Sequence, residues 1–213
     1  QNRKLVPVSQ GFIGHTPLEM KLPIGSYRLR IHADGYHETL YPVLIERQKH
    51  WDGVAPNETE PQSLWLPPLG VLKETECYIP SGWLHMNGDP VINESKPVTR
   101  TWVNGFIIDR FLVSNAEFLA MMNSEIQAGE DPQHVAALGP KLRVKNDIYN
   151  LIFHQREDGL FELQPDQEGD MWELDAPIVH LVHDSIAAYS QWKSREEGVD
   201  YKLPTRHQLI KAG

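Results

Sequence analysis

Cysteine is almost missing from this chain: Cys77 is the single one among 213 residues. That excludes an intrachain disulfide and any multi-cysteine zinc site. Positive charge is also in short supply, with 20 Lys plus Arg against 29 Asp plus Glu and a net charge of −9. An acidic chain of this kind lacks the basic footprint of a general nucleic-acid binder. No apolar run approaches the ~18 residues of a membrane-spanning helix. Neither a GxGxxG nor a GxxxxGK[ST] phosphate loop occurs, and there is no internal repeat or low-complexity tract. The chain starts at Gln1 without a signal-peptide pattern, and the missing Met points to an excerpt or a processed chain.

What is present is ordinary globular composition, 40% hydrophobic and 23% charged, which excludes disorder along the whole chain. The length suits one large domain or two small ones. In residues 1–50, Tyr27, Leu29 and Ile31 alternate with Arg28, Arg30 and His32, the period of a half-buried strand. Turn residues Gly25-Ser26 and Asp34-Gly35 bracket it, and Thr39 to Ile45 reads as its antiparallel partner. Pro42 puts that partner near an edge or a bulge, because proline has no N–H for a ladder bond. Residues 51–75, with Asn57 to Pro61 and Pro67-Pro68, read as a connector.

From residue 76 short strands mix with helices, so the fold class is α+β. Trp102 to Val113 is strand-like, and Ser114-Asn115-Ala116-Glu117 is a capping box opening a helix with Phe118, Leu119, Met122 and Ile126 on its apolar face. Met121 and Met122 read as core filling. Asp184 or Ser185 caps a later helix carrying Ala188, Tyr189 and Trp192, and Gly198 ends it. Tyr201 to Leu203 is extended, and Thr205 caps a final helix. Residues 140–175 are mixed and acidic and give no clear element.

Candidate chemistry is sparse. His180 and His183 are three apart, but their Ile, Val and Leu neighbours favour a strand, where such residues face opposite sides. Catalytic zinc needs three protein ligands and no third is evident. Cys77 reads as a small buried hydrophobe, since a nucleophile needs a lowered pKa and a partner base. Asp170, Glu173 and Asp175 read as solvated surface. The residues therefore give no catalytic, cofactor-binding or metal-ligating assignment.

Four motifs in order resemble those of the formylglycine-generating-enzyme family, also called sulfatase-modifying-factor domains. They are Ile79-Pro80-Ser81-Gly82-Trp83-Leu84-His85-Met86-Asn87-Gly88-Asp89; Trp102 to Phe118; Pro177 to Trp192, keeping Pro177, Val179, Ala188, Tyr189 and Trp192; and Leu203-Pro204-Thr205 with its helix. Residues 1–50 resemble a PEGA-type β domain in Thr16-Pro17-Leu18, Leu22-Pro23, Gly25 to Leu29 and Gly35-Tyr36. This pairing is similar to the C-terminal part of certain bacterial serine/threonine kinases.

The resemblance implies a PEGA-like domain (1–50), a linker (51–75) and the N-terminal part of a formylglycine-generating-enzyme-like domain of C-type-lectin-like fold (76–213). In catalytic relatives a copper-binding cysteine pair lies downstream of the "LPTE" helix, and calcium sites belong mainly to that later half. Here the family's Trp and Asp of the third motif are His183 and Ser185, and Arg206 to Ile210 replace an acidic helix start. One cysteine cannot supply a paired soft site for copper. The implied function is a non-catalytic recognition or sensory module of a larger bacterial signalling protein, cytoplasmic if kinase-linked. The alternatives are the N-terminal half of a copper-dependent formylglycine-generating or related sulfoxide-forming oxidase, and a ligand-displaying variable protein of the same fold.

Expected partners are a protein or small-molecule ligand, and a missing C-terminal half or second polypeptide covering 76–213. Without that cover, Trp83, Phe106, Phe118 and Trp192 are expected to be partly exposed. Asn115 is expected to anchor the helix start. Asp109 and Arg110 are expected to pair with each other or with the missing half, and His183 to act as a packing substitute.

Overall fold

The computed structural model describes residues 7–48, 50–51, 53–86, 96–144, 147–150, 152–166 and 168–213. Gln1 and the Asn87, Gly88 and Asp89 of the first motif lie outside the described residues. The architecture is α+β, with small antiparallel sheets and four helices among the described residues.

The period-two run near the start forms β1 (Gly25–Ile31), which pairs antiparallel with β2 (Thr39–Ile45). Tyr41 and Val43 of β2 are buried, while Leu40 and Leu44 face out. Pro42 is tolerated because each strand of a two-stranded ribbon is an edge. Residues 53–75 form no helix or named strand, yet they bond both ways. His37 N–H donates to the Pro67 carbonyl at 2.8 Å and Leu69 N–H to that of Gly35 at 2.9 Å. On the other side the Trp83 indole donates to the Val54 carbonyl at 3.1 Å, and Trp65 meets Tyr78 edge-on at 4.8 Å.

Next come β3 (Glu76–Ile79), β4 (Gly82–Met86), β5 (Thr99–Val103) and β6 (Phe106–Asp109). β3 pairs with β6 and β4 with β5, both antiparallel. The register is the same in both ladders. Ile79 faces Phe106 and Gly82 faces Val103, so one long ribbon runs from Glu76 to Met86 and back, broken where Pro80 and Ser81 oppose Asn104 and Gly105. Pro80 has no N–H to give the ladder. The expected strand from Trp102 to Val113 is therefore two strands, and it stops at Asp109.

Helix α1 (Asn115–Gln127) starts at Ser114, whose hydroxyl accepts from Glu117 N–H while Glu117 accepts from Ser114 N–H at 2.8 Å, the reciprocal cap expected. Asp131 caps α2 (Pro132–Leu138), with proline in its first turn where no N–H is needed. The acidic stretch that gave no element folds into two short hairpins. These are β7 (Lys141–Val144) with β8 (Asp147–Asn150), and β9 (Phe153–Gln155) with β10 (Phe161–Leu163).

Helix α3 (His183–Glu197) follows Val182, which makes no side-chain cap bond, so neither Asp184 nor Ser185 is the cap. Gly198 ends it in the left-handed region at φ 66°, as its position predicts. Tyr201 to Leu203 belong to no ladder. Thr205 caps α4 (Arg206–Ala212) through a second reciprocal pair with Gln208.

The core lies where α1, α2, α3 and the β9–β10 hairpin meet. Phe118 sits parallel to both Phe153 and Tyr189, with centroids at 6.4 and 5.9 Å, and Met121 and Met122 fill beside it. The Mets are core, as expected. Phe118 is 0% exposed, which corrects the expectation that it needs a second polypeptide to cover it. The β9–β10 hairpin does that work. Trp83, Phe106 and Trp192 are half-buried.

Candidate functional site

The densest group of ionisable side chains surrounds Tyr201, where the start of the β3 ribbon meets the end of α3. Glu76, the first residue of β3, is buried, and one carboxylate oxygen accepts from Lys73 N–H at 2.9 Å. Tyr201 donates to Glu197 at 2.5 Å and lies 3.4 Å from the other Glu76 oxygen. Lys73 bonds both Glu197 and the Tyr201 hydroxyl. Lys73 and Lys193 each approach the Tyr201 ring, at 5.5 and 5.0 Å from its centroid. Lys193 also reaches Asp109 at 3.4 Å.

The charges answer one another. Bonds from Glu197 and Tyr201 raise Lys73 above the ordinary lysine range, so it stays cationic. Burial pushes the Glu197 carboxyl up, but bonds from Lys73 and Tyr201 outweigh it and leave Glu197 low. Burial, then the Glu197 bond, carries the Tyr201 phenol to about 12. A phenol held protonated between paired ions is a fastener joining residue 73 to α3.

Cys77 is on β3 at the edge of this group. Its thiol donates to the Ile108 carbonyl at 3.6 Å, and burial pushes its pKa up, against the pull of Arg110. It is a strand residue held as a thiol. Arg110 Nε donates to the Glu76 carbonyl at 3.1 Å and Asp109 takes Lys193. The two do not pair with each other, because the ribbon turns them to different partners. Asn115 is fully buried, its side-chain N–H donating to the Glu173 carbonyl at 2.8 Å and its backbone N–H to that of Ala176 at 2.9 Å. It ties the start of α1 to residues 173–176, the anchoring role its place suggests.

The two histidines are not on a strand. His180 sits in a bend at φ 59° and His183 opens α3 with its side chain 84% exposed. An exposed imidazole packs against nothing, so His183 is not a packing substitute. Among the described residues no three His, Cys, Asp or Glu side chains gather as a metal would need. Asp170, Glu173 and Asp175 are exposed. The carboxylate that gathers bonds is instead Asp166, which accepts from the Trp172 indole at 2.8 Å and from Glu168 and Asp170 N–H, and these hold it ionised below the usual range.

Sequence reading missed Lys211. Its ammonium reaches from α4 to the carbonyls of Gly82 at 3.0 Å and Val103 at 3.2 Å, the facing pair beside the ribbon break. Burial lowers its pKa to about 8. A lysine depressed in the folded chain is held by more protons when unfolded, so stability should rise as pH climbs from about 8 to about 10. Within that window the raised Cys77 thiol opposes it, and above it the raised Tyr189 and Tyr201 phenols do the same. Melting wild type and Lys211→Met across this window should therefore give a wild-type midpoint that climbs relative to that of the variant. Parallel curves would refute the assignment.

A family model described as Sulfatase-modifying factor enzyme 1-like domain matches residues 69–213. The chain belongs to that family. No curated protein and no solved structure gives a match. Within this sulfatase-modifying-factor domain, the donors present do not fit a copper ion held by paired thiolates: the sequence has one cysteine, and its sulfur is committed to a strand carbonyl.

Proposed function

We propose that this chain is a recognition module built on the formylglycine-generating-enzyme scaffold. Residues 1–50 form a PEGA-like domain joined through 51–75 to the N-terminal part of a C-type-lectin-like domain at 76–213, in a larger bacterial signalling protein of the kinase-linked type. The carrying observation is Cys77, a thiol raised by burial and bonded to a carbonyl within its own ribbon. The paired ions around Tyr201 support the same reading, since each is neutralised by a neighbour. Leu203, Leu209 and Ile210 are exposed on and before α4, which supports a covering polypeptide against 76–213.

The family's printed description is that of an enzyme, and this favours a second reading. In it, these residues are the N-terminal half of a copper-dependent oxidase whose thiols come from elsewhere. Incubating the larger protein that carries these residues with Cu(I), oxygen, a thiol reductant and a cysteine-containing peptide, followed by mass spectrometry, separates the two. No thiol-to-aldehyde conversion is expected. Conversion would overturn the recognition reading.

A further inference from the structure

Residues 170–184 contain Asp170, Glu173, Asp175 and Asp184 and not one Lys or Arg. The same stretch exposes Met171, Leu174, Val179 and Val182, and beside it Phe111 and Leu112 are 73% and 75% exposed. The two segments run antiparallel. Ile178 N–H donates to the Val113 carbonyl at 2.9 Å, Ser114 bridges Pro177, and Ala116 N–H donates to the Leu174 carbonyl at 2.8 Å. These bonds turn Val113 and Ile178 toward the core and leave Leu112 and Val179 facing out. The surface is thus apolar, built on bonded backbone, and rimmed by carboxylates.

We infer that this face, formed by 111–112 and 170–184, docks an extended peptide segment of a partner protein that carries both basic and apolar side chains. The inference deepens the recognition reading and rests on it. Among the described residues, the carboxylates of Asp170, Glu173 and Asp175 form no ion pair. Asp184 has the exposed His183 beside it, at 3.9 Å. Of the cations adjoining it among the described residues, Arg110 is turned to the Glu76 carbonyl, and Lys141 meets the face through its backbone N–H on the His180 carbonyl at 3.2 Å. Four negative charges around an apolar surface, three of them without an ion pair among the described residues, select a partner of opposite sign. They repel phosphate, so nucleic acid and anionic lipid are the wrong sign. The apolar side chains are spread across an open surface, which suits a strip of polypeptide laid over it, with rim charges guiding it in.

The probe is a fluorescein-labelled peptide alternating Lys and Leu, followed by anisotropy, with Glu–Leu and Lys–Ser peptides as controls. The Lys–Leu peptide should bind and weaken as salt rises, and both controls should bind poorly. Glu173→Lys/Asp175→Lys should lower affinity about tenfold, and so should Leu112→Ser/Val179→Ser. These side chains are exposed, so circular dichroism and melting should be unchanged, and the charge pair decides the matter if the serine pair misfolds. Equal binding of the Glu–Leu peptide, or wild-type affinity in the charge pair, overturns the inference. So does a concentration-dependent dimer, seen by light scattering and abolished in the serine pair, which would give the face to a second copy. Peptide oxidation with copper would instead sink the recognition reading, and it leaves these binding outcomes readable on their own.

Discussion

Phe118→Ala should lower the stability of this protein by about 3–5 kcal/mol, the usual cost of emptying a filled aromatic site. Phe118 is 0% exposed and lies parallel to both Phe153 and Tyr189. Removing the ring leaves a void between three elements: α1, the β9–β10 hairpin and α3. None can close it alone, since Ser114 caps α1 and Asn115 ties it to residues 173–176. For a chain of this size the melting midpoint should drop by roughly 10 °C. Phe118→Leu should cost clearly less. A drop of only a degree or two for the alanine would mean that this core is not closed within the chain, and that a covering polypeptide is needed after all.

Sequence was a good guide wherever one local interaction decides the conformation. Ser114 with Glu117 and Thr205 with Gln208 are reciprocal caps visible as residue pairs three apart, and both formed. Gly198 lies where a left-handed residue must end α3. Six residues of strict alternation, Tyr27 to His32, were enough to place β1. The hairpins at 141–163 have strands of three or four residues, too short for a period to show. Their place is set by the core they cover, with Ile152, Phe153 and Phe161 closing over Phe118 and Met122. α2 did carry a signal, Asp131 before Pro132, that the reading passed over.

At the candidate site the failures share a cause. Ser185 has a capping residue's chemistry, yet it is fully buried within the first turn of α3, so tertiary packing overrode local preference. His180 and His183 looked like strand residues because their neighbours are Ile178, Val179, Leu181 and Val182. The chain bends there instead, the His180 carbonyl accepting from Lys141 N–H at 3.2 Å. The Tyr201 fastener joins residues more than a hundred apart in sequence, and Lys211 meets carbonyls just as distant. Neither leaves a motif. The family motifs conveyed the scaffold, and the contacts between them appear only in three dimensions.

Gly105→Ala should be the other severe substitution, costing about 1–3 kcal/mol by overpacking. Gly105 is in the ribbon break opposite Pro80, and a Cβ there would sit 2.6 Å from the Tyr78 hydroxyl and 3.2 Å from the Ser81 backbone nitrogen. Tyr78 is diagonal to Gly105 across the ribbon, since it pairs with Ile107. It cannot swing away freely, because Trp65 stands against its ring at 4.8 Å and Ser81 N–H bonds its hydroxyl. A methyl at 105 must therefore displace the ring from Trp65 or open the break, and either change disturbs the seat of residues 61–68 on the ribbon. Tyr78→Phe removes the oxygen that the methyl strikes, so Gly105→Ala should cost less in the Tyr78→Phe background than in the wild type. A double-mutant cycle on urea unfolding measures this coupling. If the alanine costs the same in both backgrounds, the hydroxyl is not what keeps position 105 a glycine.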